Sequence, residues 1–432
     1  MSRIIPDPIS LQADTLPPQT DVVVIGGGIV GICTALYLSR KNVRVVVCEK
    51  GLIGAEQSSR NWGWVRQMGR DVAEIPLSIA SQQLWRDFQA QGIETGFRQT
   101  GIAYVYRSAR EEALYQTAHA EANQFGVDTR LLDKSDLARQ VPGACAEFMG
   151  GMYTASDGRA EPSLATPAIA RAAQAAGARI LAGCAVRGLI QEGGRATGVV
   201  TERGEIRCTT VVLAGGAWSR LFARTLGISL PQLKVLGSVG RVSAVDGPTD
   251  MPIGGDNFSY RRRLDGTYTI SLRNRTMVPL APDNFRLFRE YWSSFARNRK
   301  ELRLNVGNHF IREWQTPKTW QLDEISPFER ERILDPKPSE ATVREGLANL
   351  VQAFPAFRNA KLIQTWGGMI DVTPDAVPII GPAAKIPGLF ISTGFSGHGF
   401  GLGPGAGLLT AQMVMNDVPV VDPKPFRLER FA

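Results

Sequence analysis

Short, unbroken apolar runs frame the first fifty residues. Residues 21–25 and 43–49 are rich in Val and Ile, and a glycine turn at 26–31 leads from the first into an apolar helical stretch over 32–40. Two parallel strands buried on both faces, joined by a crossover helix, produce this pattern, because neither face needs polar residues. The spacing of Ile75, Ile79, Leu84, Trp85 and Phe88 predicts a helix. An alternating strand follows at Ile102, Tyr104 and Tyr106, then a helix through Leu114 towards Phe125. An alanine-rich helix is expected over 162–176, closed by Gly177, with short strands at 179–181, 199–202 and 211–214. Between 235 and 272 alternation and turns predict antiparallel sheet, including a hairpin of Phe258 and Tyr260 with Tyr268, Ile270 and Leu272. Over 283–299, Phe285, Phe288, Trp292 and Phe295 share one helical face and are expected to pack into the core. Residues 389–414 read as strand, glycine-rich loop and helix.

Composition narrows the class. With 432 residues, 44% hydrophobic and 21% charged, the chain suits a soluble protein of two domains. Its apolar runs fall far short of the roughly 20 residues that span a bilayer. Residues 1–20, with Asp7, Asp14 and several prolines, lack the apolar core of a secretory signal and are expected to form a loosely tied arm. Cys33, Cys48, Cys145, Cys184 and Cys208 are widely separated, which argues against a disulfide framework or zinc site and points to the cytoplasm. Three histidines make a multi-histidine metal centre improbable, so no metal is expected. The net charge of +8 is scattered and does not suggest nucleic acid. The one dense cluster, Arg261 to Arg263 ahead of Asp265 and Gly266, reads as a solvated hairpin edge.

Gly26, Gly28 and Gly31 lie directly after a strand and open a helix. Gly26 permits the sharp turn, Gly28 leaves room for a pyrophosphate, and Gly31 lets helix and strand approach. Backbone amides near Ile29 and Val30 offer donors and a positive dipole end to phosphates. Glu49, eighteen residues after Gly31, can accept from ribose hydroxyls and would repel a 2′-phosphate. The fold class is therefore α/β: a Rossmann-like domain with a parallel sheet, and a mostly antiparallel-sheet domain with helices.

Beyond Lys50, the stretch Gly54, Ala55, Glu56, Gln57, Ser58, Ser59, Arg60, Asn61, Trp62, Gly63 resembles the segment after the acidic residue in the D-amino-acid oxidase / glycine oxidase / sarcosine oxidase superfamily. Ala160-Glu161-Pro162, the run around Gly198 to Gly204, and Val211 to Ser219 match that superfamily in order. So do Trp366 to Met369, Thr373-Pro374-Asp375, Pro378 to Gly381 and Ser396 to Phe400. The resemblance implies FAD, held by Gly26, Gly28, Ile29, Val30, Gly31, Glu49, Lys50, Ser58, Ser59, Arg60, Asn61, Trp62, Val186, Ala214, Gly215, Trp218, Gly368, Gly397, Gly399, Phe400 and Gly401. It also implies an FAD-binding domain of 21–75, 151–233 and 346–432, and a substrate domain of 76–150 and 234–345. Many sarcosine-oxidase relatives tether flavin through a cysteine; that position falls near Gly368, where none is close, and no histidine precedes His119. Non-covalent FAD is expected.

The implied activity is oxidation of a C–N bond in a small amine or amino acid, with hydride passing to the flavin and the imine then hydrolysed. No second glycine fingerprint exists for a nicotinamide, so electrons are expected to leave to O2 or an external acceptor. Where amino-acid oxidases often carry Arg-Pro, this chain has Ile370-Asp371; Asp371 would attract a cationic group or accept amide bonds in a turn. Arg66 is an alternative carboxylate anchor, with a structural salt bridge as plausible. His398 borders the flavin or caps its loop, and Arg273 is the nearest basic candidate for oxygen activation. Trp62 and Trp64 would wall the pocket. Two other readings stay open: an FAD-dependent 2-hydroxy-acid dehydrogenase, where His398 would be the base, and a non-catalytic flavin-binding subunit of a larger oxidase complex. Oligomeric state is left open.

Overall fold

The computed structural model describes residue 6 and residues 15–432 apart from 146, 248 and 274, so most of the expected N-terminal arm lies outside the described residues. A six-stranded sheet runs in the order Ile379–Pro382, Leu389–Thr393, Thr210–Leu213, Val22–Ile25, Val45–Cys48, Arg179–Leu181. All its pairings are parallel except the first. Successive side chains of a strand point to opposite faces, and both faces are covered. Val22, Val24, Val45 and Val47 pack under the helices Ile29–Ser39, Pro162–Ala175 and Gly399–Met415. Val23, Ile25, Val46 and Cys48 meet a three-stranded sheet of Val186–Glu192, Arg195–Thr201 and Gly204–Arg207. That two-sided burial is why both central strands are apolar throughout. The first helix begins at Ile29, inside the glycine turn. At Gly31 a Cβ would stand 2.1 Å from the Gly26 carbonyl oxygen, so the close strand–helix approach admits no side chain there.

The second sheet has ten strands. Leu233–Val242 pairs with Tyr268–Ser271, with Thr276–Pro279 and, along most of its length, with Leu362–Val372. The expected hairpin is present as Ser259–Arg262 against Tyr268–Ser271. Tyr260 and Tyr268 close a core with Phe354 and Phe357, ring centroids 5.0–5.9 Å apart.

Two expectations are corrected. The aromatic face over 283–299 is not core: the segment forms two helices, Pro282–Arg286 and Phe288–Asn298, and no residue of the second is buried. Phe285 is 65% exposed and Trp292 54%. Helical spacing reports that a face is apolar, not what it meets. Here the rings lean on one another, Phe288 against Trp292 with centroids 5.3 Å apart and planes 54° apart, beside a cavity that Phe288 lines. Nor is the arginine cluster a solvated edge. Arg261 is fully buried, donating to Glu161 at 2.7 Å and to the Trp62 carbonyl at 2.6 Å, and Glu161 also accepts from the Leu264 amide. Its partner lies a hundred residues away in sequence, out of reach of a local charge count. Of the three, only Arg262 stands well out from the protein. Among the described residues, no helix is long and apolar enough to cross a membrane, and no His/Cys/Asp/Glu group could hold a metal ion.

Candidate cofactor and substrate site

A cleft opens at the carboxyl ends of the parallel strands, where α/β sheets bind ligands. Gly26, Gly28, Ile29, Val30, Glu49, Lys50, Ser58, Asn61, Val186, Ala214, Gly215, Trp218, Gly397, Gly399 and Phe400 line it. The Gly28 Cβ position meets only the Ser58 hydroxyl, at 3.2 Å, so this stretch of the wall is bare backbone. The Ile29 amide, first in its helix, donates to that hydroxyl at 2.9 Å. Glu49 accepts from the Gly27 amide at 2.7 Å and the Gly51 amide at 2.6 Å. Burial pushes its carboxyl up, against the pull of Lys50 and these two amides. Each of its oxygens keeps a lone pair for another donor. Glu56 binds Trp218 Nε1 at 3.1 Å and Lys50 at 2.6 Å, and Lys50 sits 4.4 Å from the Trp218 ring centre.

A second cavity, about 730 Å³, adjoins the first; Gln57, Asn61, Gly397 and Phe400 line both. At this junction Gln57 Oε1 is buried with no partner. Gly368 lies beneath it, paired with Gly237 across the strands; a Cβ there would meet Gln57 Oε1 at 2.3 Å. An elongated dinucleotide suits this arrangement. Its diphosphate would lie on the bare glycine wall, its ribose at Glu49, and a planar ring with N–H donors beside the orphaned Gln57 acceptor.

Some expected cofactor residues stand elsewhere. Trp62, Gly368 and Gly401 line the second cavity rather than the first. Gly31 and Ser59 line neither cleft; the Ser59 hydroxyl turns back to the Glu56 carbonyl at 3.3 Å. Arg60, expected beside the cofactor, spends its Nε and Nη1 on Ala55, Asp335 and Gly367, tying this segment to strand Leu362–Val372, while Nη2 has no partner.

The second cavity is apolar over most of its wall, with Val235, Met277, Leu280, Phe285, Phe288 and Phe295, and cationic at one end. Arg66, Arg70 and Arg273 converge there with Trp62 and Trp64, whose rings meet edge to face at 5.7 Å. Arg66 spends its Nη1 on the Met68 and Gly69 carbonyls. Arg273 donates to Gly255 and lies 4.1 Å from the Tyr104 ring centre. Arg70 differs: it is 6% exposed, and its Nη1 is buried with no partner. Burial and then the neighbouring Arg66 push it down to about 9. The loop carrying these arginines is fixed by fully buried Asp157, which accepts from the Gln67 amide at 2.7 Å and the Met68 amide at 3.3 Å.

His398 caps helix Gly399–Met415 and also lines the second cavity. Its Nδ1 lies 2.8 Å from an oxygen of Glu74, which is wholly buried. Asp371 does not face this cavity. It lines the first cleft, 7% exposed, and accepts from the Gly394 amide at 2.7 Å, Gln232 at 3.0 Å and Thr393 at 3.3 Å. The cation-attracting alternative is thereby set aside: Asp371 holds the loop ahead of Gly397, and burial raises its carboxyl despite those donors. Sequence reasoning missed Gln57, Arg70, Glu74 and Asp157. Only the recurrence of arginine four residues after Arg66 offered a signal.

A family model described as FAD dependent oxidoreductase matches residues 21–413. The beta subunit of sarcosine oxidase from Arthrobacter sp is 28% identical, over 100% of this chain and 96% of that protein. Glycine oxidase from Pseudomonas putida is 25% identical, over 94% of this chain and 98% of that one. The structure of L-amino acid deaminase from Proteus myxofaciens in complex with anthranilate is similar at 32% identity and a TM-score of 0.94, covering 98% of this chain and 96% of that chain. With a nucleotide cleft at the strand ends and a second cavity meeting it at Gln57, the chain belongs to the DAO family of FAD-dependent oxidoreductases.

Proposed function

We propose that this chain oxidises the C–N bond of an amino acid with a bulky apolar side chain, using FAD held without a covalent bond. The observation that carries the reading is Arg70: a nearly buried guanidinium with a free donor, at the cationic end of an otherwise apolar cavity. Glu74 and Asp157 attract its charge and Nε donates to the Arg66 carbonyl, but Nη1 is left without an acceptor. A buried donor left unsatisfied is costly, and a carboxylate relieves that cost through a short charge-assisted bond. The apolar lining, with Phe285, Phe288 and Phe295, suits an apolar substituent. FAD, when bound, supplies the hydride acceptor. The Val30 amide and the Ser58 hydroxyl, which the Ile29 amide holds in place, would serve its diphosphate, Glu49 its ribose, and the glycine loop from Gly397 its ring. Arg70 orients the substrate, Trp62 and Trp64 exclude water, and the imine product is hydrolysed in solution.

FAD binding is assigned to residues 21–75, 151–233 and 346–432, and the substrate domain to 76–150 and 234–345. Strand Leu362–Val372 serves both, because it pairs with Leu233–Val242 while Gly368 lies under Gln57. Denaturation in acid should release all the flavin into solution; yellow colour left on the pellet would refute non-covalent binding. Five free cysteines suit a reducing cytoplasm. The acceptor is O2 or an external carrier.

The test is an anaerobic screen read at the flavin absorbance band. Bleaching by apolar amino acids, but not by the matching decarboxylated amines, is expected. Bleaching only by 2-hydroxy acids would replace the reading with alcohol oxidation, and bleaching by nothing would make the chain a flavin-binding subunit.

A further inference from the structure

Helices Ile75–Ala90 and Gly399–Met415 are locked together near their starts. The Gly401 carbonyl accepts from Ser81 at 2.7 Å and Trp85 Nε1 at 3.0 Å, and the Gly405 amide donates to Ser81 at 3.1 Å. The two residues at the N-caps of these helices, Glu74 and His398, are thereby brought together. Both oxygens of Glu74 address one ring nitrogen, Nδ1, at 2.8 and 3.1 Å. Burial alone would raise the Glu74 carboxyl, but His398, Arg70 and Arg66 outweigh it and hold it below its ordinary value. An ionised carboxylate only accepts, so Nδ1 must carry the proton, and the neutral ring keeps its lone pair on Nε2.

We propose that Glu74 and His398 form a proton-accepting pair for the substrate: His398 Nε2 takes a proton from the substrate ammonium, and Glu74 is the positioning residue that fixes the tautomer. The proposal rests on the amine-oxidising reading above. An amine enters at neutral pH as ammonium and must be unprotonated before its carbon can give up hydride. In this step one N–H bond of the ammonium breaks, its electron pair stays on nitrogen, and the proton forms a bond to Nε2. Glu74 balances the resulting imidazolium. His398 is 22% exposed in its side chain, on the cavity it lines, where a substrate ammonium would lie. The charged groups bearing on the ring are Glu74 and the Arg70 and Arg66 guanidiniums. Burial and the arginines lower the affinity of His398 for a proton against the pull of Glu74, which keeps the resting ring neutral and able to accept.

The test uses the FAD-loaded enzyme. The chain has only three histidines, so nitrogen-15 spectra of the imidazole rings are readily assigned with the His398→Asn variant. The expected signal is an Nδ1–H tautomer at His398; an Nε2–H tautomer would overturn the proposal. In anaerobic stopped flow, the wild-type rate of flavin reduction should fall on the acid side. His398→Asn should lose about 100-fold at neutral pH, within the range of general-base effects, and regain rate as pH approaches the amine's own pKa. Glu74→Gln keeps an acceptor for Nδ1 but removes the anion, so the acid limb should move to lower pH with about a tenfold loss. An unchanged limb in Glu74→Gln, or a wild-type rate in His398→Asn, would refute the pair. Failure of the amine reading is separate: the wild-type protein would then bleach with no amine or amino acid.

Discussion

Replacing Arg70 with Met should raise stability and weaken substrate binding together. The side chain is 6% exposed with Nη1 unpartnered, and burial beside Arg66 pushes its pKa from 12.5 down to about 9. At 1.36 kcal/mol per decade, holding the charged form at neutral pH costs the fold on the order of 5 kcal/mol. A guanidinium does not give up its proton in a protein, so that cost falls on stability. Methionine fills much of the same volume without charge. Imperfect repacking typically returns about 1–3 kcal/mol, leaving a net gain of roughly 2–4 kcal/mol. Unfolding entropies of about 2.1 cal/mol/K per residue over 432 residues make 1 kcal/mol worth roughly 1 °C.

Binding should move the other way. A hydrogen bond to a charged group contributes about 1.5–3 kcal/mol, or roughly 10- to 150-fold in affinity. The assays are thermal melting of the holoenzyme and the substrate dissociation constant from anaerobic flavin bleaching. A melting temperature raised by about two to four degrees with a tenfold weaker dissociation constant is expected. A melting temperature lowered by several degrees with unchanged substrate affinity would refute the reasoning and make Arg70 a packing residue.

Gly28→Ala puts a Cβ 3.2 Å from the Ser58 hydroxyl on the wall where the diphosphate would lie and should weaken flavin retention; Gly28→Leu should purify colourless, and full flavin content in it would contradict the phosphate placement. Glu161→Ala strands fully buried Arg261 without its anion and should cost about 3–5 kcal/mol, seen as a melting temperature several degrees lower. Asp157 has its carboxyl raised by burial from 3.8 to about 7. The folded chain therefore keeps this proton between about pH 4 and 7 where the unfolded chain has lost it, and this group's contribution to stability falls as pH rises through that window. The melting temperature of Asp157→Asn relative to wild type should climb by a few degrees from pH 5 to pH 8; a flat difference would refute the assignment.

The nucleotide end was legible in the chain because its determinants are local. Glycines 26, 28 and 31, a Val/Ile strand on either side and Glu49 on cue lie within thirty residues, and Gly26, Gly28 and Glu49 line the cleft. The substrate end was not. Glu74 and His398 are 324 residues apart, and Asp157 clamps a loop ninety residues earlier; only the docking of two helices and two sheets brings them together. The apolar stripe at Phe288 and Trp292 gave the right period and the wrong destination, since amphipathicity says nothing about which side of a cavity a face will stand on.

Where the unsatisfied groups collect separates function from packing. Gln57 Oε1, Arg60 Nη2 and Arg70 Nη1 are each buried without a partner, and all three residues line the same cavity. A buried polar atom left unpaired costs about 1–3 kcal/mol, and more when charged, so a fold under selection for stability alone would have paired or replaced them. Asp157, which steadies the arginine loop, adds a carboxyl that burial has driven to about 7. Three of the sixteen buried, unpaired side-chain atoms among the described residues meet at this cavity, beside the loop holding Arg66 and Arg70 and the junction with the nucleotide cleft, while the other thirteen belong to residues that line neither cavity. Breaches of local rules gathered in one place mark where a ligand completes the structure. Here the missing partners are an acceptor for Arg70 Nη1 and a donor for the Gln57 amide oxygen, which is what a carboxylate substrate beside a flavin ring provides.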